Sequence, residues 1–160
     1  MSKSILIAYF SASGVTRRAA EELASACDGD LYEIAPAIPY TTADLNWRDP
    51  ESRSSKEMKG KAEYPELKDV DADVEGHSVV FLGFPIWWYT APTIVRRFLE
   101  SYDFSGKKIV LFATSGGSGF GKTAEELRRA VKGDAQIVAG KILNGRHSAS
   151  ELKSWIQSFL

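Results

Sequence analysis

Ile5-Leu6-Ile7-Ala8-Tyr9-Phe10-Ser11-Ala12-Ser13-Gly14-Val15-Thr16 sets the architecture of this chain. Ile5 to Phe10 is apolar without polar alternation, the pattern of a strand buried on both faces. Small hydroxyl residues and a glycine then turn the chain. From there Val15, Ala19, Ala20, Leu23, Ala24 and Cys27 recur at helical spacing. A buried strand that passes through such a turn into a helix builds an anion cradle. Hydroxyls and backbone N–H groups converge at the helix N-terminus, where the dipole favours negative charge. No Lys or Arg lies inside the turn, although Arg17 and Arg18 follow it, so a phosphate there is held by neutral donors. A plain helix start capped by Ser13 accounts for the same residues.

Outward from this unit the pattern repeats. Asp28-Gly29-Asp30 ends the first helix, and Leu31 to Ile34 forms a short strand. Glu33 within it, with Pro36 and Pro39 after it, marks an edge strand. Val79 to Phe84 and Ile109 to Ala113 are again continuous apolar runs. The first leads to a helix from about Ala91 with Ile94, Val95, Phe98, Leu99 and Tyr102 on one face. The second leads to a helix carrying Ala124, Leu127 and Val131. Ala135 to Ala139 is a weaker fifth strand, and Leu152, Trp155, Ile156 and Phe159 mark the last helix. This alternation predicts one α/β domain over residues 1–160, a five-stranded parallel sheet between two helical layers. The three most apolar strands belong in the centre, which gives the order 2-1-3-4-5 and a switch point between the first and third strands.

Residues 40–76 are the irregular part. Tyr40, Leu45 and Trp47 are candidate anchors there, Pro50 to Lys59 reads as a polar helix, and Glu66 to Glu75 is strongly acidic. The acidic run reads as a solvated excursion or as a docking patch for a basic partner. The formal net charge of -1 gives no overall basic footprint for nucleic acid. Cys27, the single cysteine, excludes an internal disulfide, fits a reducing compartment and reads as a packed thiol. The apolar run after Met1-Ser2-Lys3-Ser4 is too short for a signal or membrane segment, so a cytoplasmic protein is expected.

Ligands in such sheets bind beyond the carboxyl ends of the strands at the switch point. Three unusual turns follow the three central strands. The first is the Ser-Gly turn. The second, Pro85-Ile86-Trp87-Trp88-Tyr89, offers flat aromatic faces; at least one of them is expected to cover the sheet end. The third, Thr114-Ser115-Gly116-Gly117-Ser118-Gly119-Phe120-Gly121, lets backbone approach a ligand closely. A ligand with a phosphate at one end and a flat heteroaromatic at the other fits all three, and FMN has that shape.

These residues resemble the flavodoxin family, in its bacterial branch with a Trp-rich second loop. The resemblance runs over essentially the whole chain. It is carried by Tyr9 to Thr16, by Gly83-Phe84-Pro85-Ile86-Trp87-Trp88, and by Ala113 to Gly119, together with Tyr40, Asp44-Leu45, Trp47 and Ser52-Arg53. It implies a flavodoxin-like three-layer sandwich. It implies that Ser11, Ser13, Gly14, Val15 and Thr16 hold the FMN phosphate, and that Pro85, Ile86, Trp87, Trp88 and Tyr89 flank the isoalloxazine. Thr114, Ser115, Gly116, Gly117, Gly119 and Phe120 then line its other edge. Val15 departs from the family's usual asparagine, which removes a side-chain tie. Pro85 to Tyr89 lacks the glycine on which many members flip a peptide beside the ring, so that switch is not carried over.

The resemblance implies a low-potential electron carrier, a monomer that meets redox partner proteins transiently, without nucleic acid or membrane. The alternative is an FMN-dependent NAD(P)H or quinone reductase. Gly116 to Thr123 also reads G-x-x-x-x-G-K-T, the pattern of a nucleotide phosphate loop. Neither the first nor the third strand ends in the aspartate such a site needs for Mg²⁺. His77 and His147 are far apart and mark no metal site, and no catalytic acid or base is readable.

Overall fold

The computed structural model describes residues 5–131 and 133–160. Five strands, β1 (Ile5–Tyr9), β2 (Asp30–Glu33), β3 (Val79–Pro85), β4 (Lys108–Thr114) and β5 (Gln136–Ile142), form one parallel sheet in the order β2-β1-β3-β4-β5. The helices are α1 (Val15–Cys27), α2 (Arg53–Met58), α3 (Thr93–Glu100), α4 (Thr123–Arg128) and α5 (Ala149–Gln157). No helix among the described residues is long and apolar enough to cross a membrane.

Successive side chains of a strand point to opposite faces, and each central strand fills two cores accordingly. On one face Leu6, Ala8, Val80, Leu82, Ile109 and Leu111 pack under α3 and α4 through Ile94, Phe98, Leu99 and Leu127. On the other, Ile5, Ile7, Tyr9, Phe81, Val110 and Phe112 pack under α1 and α5 through Ala20, Leu23, Leu152 and Ile156. Burial on both faces is why these strands are unbroken apolar runs. Gly83 marks one close approach: a Cβ there would collide with the Phe112 ring.

The elements differ from the sequence expectation in several places, Tyr102 and Phe159 lying just past the ends of α3 and α5 among them. β5 runs to Ile142, past the expected end at Ala139. A bulge opposite Leu111 interrupts its pairing, with Gly140 against the Leu111 carbonyl, and that irregularity hides the second half of the strand. α4 stops at Arg128, so Val131 lies beyond it. α3 begins at Thr93, after Pro92. Val15, expected on the buried face of α1, is 54% exposed, and Thr16 is buried instead.

Between β2 and β3 the chain makes a long excursion over the α3 face. Its neck is closed by an antiparallel clasp between Pro36 and Leu67, in which Ala37 N–H donates to Glu66 O (2.8 Å) and Lys68 N–H to Ala35 O (2.8 Å). The acidic stretch is only partly solvated: Ala72 and Val74 are buried in the core, and Asp69 accepts from the Tyr32 hydroxyl (2.5 Å). That bond holds the Asp69 carboxyl below its ordinary pKa, while burial raises the Tyr32 phenol.

Candidate functional site

The three unusual turns meet at one rim, at the carboxyl ends of β1, β3 and β4. In the first, Gly14 adopts φ 95°, a left-handed conformation that favours glycine, and its N–H donates to Ser11 Oγ (3.0 Å). Gly14 is itself the cap of α1, with no side-chain cap, so Ser13 stands exposed and free of that task. The first helical bond runs from Arg18 N–H to Gly14 O (3.2 Å). The N–H groups of Val15, Thr16 and Arg17 therefore have no partner within the helix and face its open positive end.

The Arg17 side chain does not serve this end. Its guanidinium donates to Glu33 (2.8 Å) and to the Tyr9 hydroxyl (3.3 Å). Burial raises the Tyr9 phenol, and the hydrogen bond from Arg17 works against it. The Thr16 hydroxyl is also committed elsewhere. It bonds Thr114 Oγ1 at 2.7 Å, both groups buried, which fastens the root of the first turn to the root of the third. One of the two O–H protons is used in this bond, and Thr16 also has its backbone N–H to offer.

The second turn divides its three aromatics. Trp87 covers the sheet end, edge-on to Phe10 and Tyr40 at 5.6 Å from each. Trp87 and Thr90 exchange backbone bonds of 2.8 and 3.0 Å around a two-residue turn. Both central residues, Trp88 (φ 49°) and Tyr89 (φ 66°), are left-handed, a conformation that such turns usually fill with Asn or Gly. Strain of this kind costs on the order of 1–3 kcal/mol per residue and gathers at functional sites. Tyr89 is 77% exposed at the rim.

In the third turn Ser115 Oγ accepts from the N–H groups of Gly117 (3.1 Å) and Ser118 (2.9 Å). Asn144, which sequence reasoning passed over, clamps the Ser115 peptide from both sides, accepting from its N–H (2.9 Å) and donating to its carbonyl (2.7 Å). Ser115 is thus a brace of the turn. Phe120 packs edge-on to Phe84, and the buried Thr123 hydroxyl donates back to the Phe120 carbonyl. The hydroxyl that a nucleotide phosphate loop would turn to Mg²⁺ is consumed inside α4's own start.

Between the second and third turns lies a cleft of about 670 Å³, a size that suits a small-molecule site. Ile86, Trp87, Trp88 and Tyr89 form one side, and Gly116, Gly117 and Ser118 the other. Pro85, Thr114, Ser115, Gly119 and Phe120 are near but do not line it. The excursion supplies a third wall, Leu45, Trp47 and Ser54, which the sequence reading did not place in the site. Trp47 is 65% exposed and lines the mouth, so of the expected anchors Tyr40 is the one that packs into the core.

This wall is tied down by a partly buried ionic cluster. Glu57, 5% exposed, accepts from the Tyr40 hydroxyl (2.5 Å) and from Arg53 Nε (3.0 Å). Arg53 also donates to the Ile38 carbonyl (2.7 Å), lies 3.8 Å from Asp44, and sits 4.0 Å over the Tyr40 ring. Burial, then the bond to Glu57, raises the Tyr40 phenol far above its ordinary pKa, so it stays a donor. Among the described residues lining the cleft none is charged, and no described group of His, Cys, Asp and Glu is arranged to hold a metal ion.

The sequence model described as Flavodoxin matches residues 4–159. No curated protein matches the chain. Among solved structures, the chain is similar to a protein of Bacteroides eggerthii DSM 20697 assigned as a flavoprotein. The two are 45% identical with a TM-score of 0.89, over 97% of this chain and 96% of that one. A similarly assigned protein of Bacteroides uniformis ATCC 8492 is 40% identical, with a TM-score of 0.80, over 98% and 99%. A flavoprotein of Lactobacillus acidophilus NCFM, solved in complex with FMN, shares the fold at 22% identity and a TM-score of 0.72, over 96% and 99%.

Proposed function

Since the chain belongs to the flavodoxin family, we propose that it binds FMN and carries electrons at low potential between redox partner proteins. The observation that supports this most directly is the shared rim. A helix start with open N–H groups, an uncharged cleft walled by indoles, and a glycine turn stand side by side, joined by the Thr16–Thr114 hydroxyl bond. The FMN complex of the L. acidophilus fold relative supports the choice of ligand.

FMN, when bound, supplies the redox chemistry. The chain's residues do the holding and the tuning. The Ser11–Arg17 segment holds a phosphate through neutral donors: the N–H groups of Val15, Thr16 and Arg17 and the hydroxyls of Ser11 and Ser13. Trp88 and Tyr89 present flat faces to a ring in the cleft, and Gly116 and Gly117 admit its close approach to backbone. Walls of indole, aliphatic carbon and neutral polar groups disfavour added negative charge, which lowers the potential. Trp47 and Tyr89, exposed at the mouth, leave an edge that a partner can touch.

A second reading, an NAD(P)H or quinone reductase, draws on the apolar bay that Leu45 and Trp47 add to the cleft. One experiment separates the two. Full-length protein loaded with FMN is mixed with NADPH alone, then with NADPH and a flavodoxin reductase. A carrier shows flavin bleaching only in the second mixture. Rapid turnover in the first establishes the reductase reading, and a chain that takes up no FMN refutes both.

A further inference from the structure

Among the described residues of the excursion, Ser54 carries the one buried hydroxyl that the fold leaves unused. Its two serine neighbours on α2 are consumed: Ser52 caps the helix and its hydroxyl donates to Ser55 Oγ (2.9 Å). Ser54 is 2% exposed, and its Oγ is buried without a hydrogen-bond partner. An unpaired hydroxyl out of water is destabilising, and a native structure that keeps one has a use for it. The same residue lines the cleft, where the other hydroxyls are those of Tyr89 and of Ser118, the latter bonded to Ser115 Oγ (3.3 Å).

Its position is fixed from both sides. The Ser54 N–H donates to the Asp44 carbonyl (3.0 Å), and Arg53 next to it is locked onto Tyr40, Glu57 and the Ile38 carbonyl. The residue is held this way through its backbone, and its hydroxyl, able both to donate and to accept, is left unpaired for a polar edge of a flat ligand. The first turn, which would take a phosphate, contributes no residue to this cleft.

We propose that Ser54 is a ring-recognition residue: its hydroxyl completes its hydrogen bonding on a heteroatom of the flat heteroaromatic ligand that enters the cleft. The inference rests on the FMN reading and adds to it a contact from outside the three turns. It makes an unusual pair of demands. Removing the hydroxyl relieves the empty protein of an unpaired polar group while depriving the ligand of a partner, so stability and affinity move in opposite directions.

The test is Ser54→Ala in the full-length chain, stripped of flavin and titrated with FMN and, separately, with riboflavin, which has the same ring and no phosphate. The dissociation constant is expected to rise roughly three- to tenfold for FMN, and by the same factor for riboflavin. The thermal midpoint of the flavin-free variant is expected to equal or exceed that of the parent. Unchanged affinity for both flavins overturns the proposal, as does a loss confined to FMN or a flavin-free midpoint that falls along with affinity. A parent chain that binds neither flavin overturns the FMN reading itself, and this contact with it.

Discussion

Arg53 is a single side chain on which the cleft's outer wall depends. It neutralises the buried Glu57, stacks on Tyr40 and bonds the Ile38 carbonyl, so it joins α2 to the strand-proximal arm of the excursion. Arg53→Ala leaves Glu57 buried with only the Tyr40 hydroxyl against its charge. Breaking a buried pair from one side costs about 3–5 kcal/mol, and the partial exposure of Arg53, 22% of its side chain, puts this one at about the lower figure. Urea denaturation of the flavin-free protein is expected to show that loss. Arg53→Lys restores only part of it, because an ammonium cannot reproduce the planar stack and the forked bonds. Equal stability of the alanine variant and the parent would show the cluster to be inert. At this scale the sequence is least legible. Nothing in Trp88-Tyr89 announces two left-handed residues, since the usual sign is Asn or Gly. The hydroxyls of Ser52, Ser54 and Ser55 look alike until their partners are seen.

At the scale of elements, the edge strand β2 shows how the excursion is anchored at its far end. His77, just before β3, sits between Asp30 at the start of β2 (Nε2 to Oδ2, 2.7 Å) and the Asp73 carbonyl (2.5 Å). Burial works to lower the His77 pKa. The hydrogen bonds to Asp30 and Asp73, with the charges of both, outweigh it and leave the pKa raised. A folded-state pKa above the unfolded value of about 6.5 stabilises the fold fully below that pH, and the contribution fades as pH rises through the folded value. Asp30→Asn is therefore expected to lower the denaturation midpoint clearly at about pH 5.5 and little at about pH 9. A gap that stays constant with pH would remove the ion pair from the account. The strands β1, β3 and β4 were legible because burial on both faces leaves only apolar residues to read. β5 was legible only as far as its bulge at Gly140, and α4 was overextended because Val131 keeps a helical spacing after the helix has stopped.

For the whole molecule, the strand order, the layers and the convergence of three turns followed from the alternation of strand and helix and from which strands are the most apolar. The third wall of the cleft did not, because Leu45, Trp47 and Ser54 reach the rim only through tertiary contacts made by a polar, irregular stretch. A ligand that bridges the cradle and the cleft binds the folded state alone and must stabilise it. With free FMN at a hundredfold excess over its dissociation constant the gain is about 2.7 kcal/mol. For a chain of this size that raises the melting temperature by roughly 5–11 °C, and scanning calorimetry with and without FMN reads it directly. An unmoved melting temperature at that excess would mean that the rim takes some other ligand. The clasp between residues 35–37 and 66–68 carries a last consequence. Because that loop leaves and rejoins the scaffold at one neck, segment 38–65 is expected to be exchangeable as a cassette, provided Tyr40 and its core contacts are kept. Swapping it between related chains would reset which flat molecules are admitted, while the sheet and the turn after β1 stay as they are.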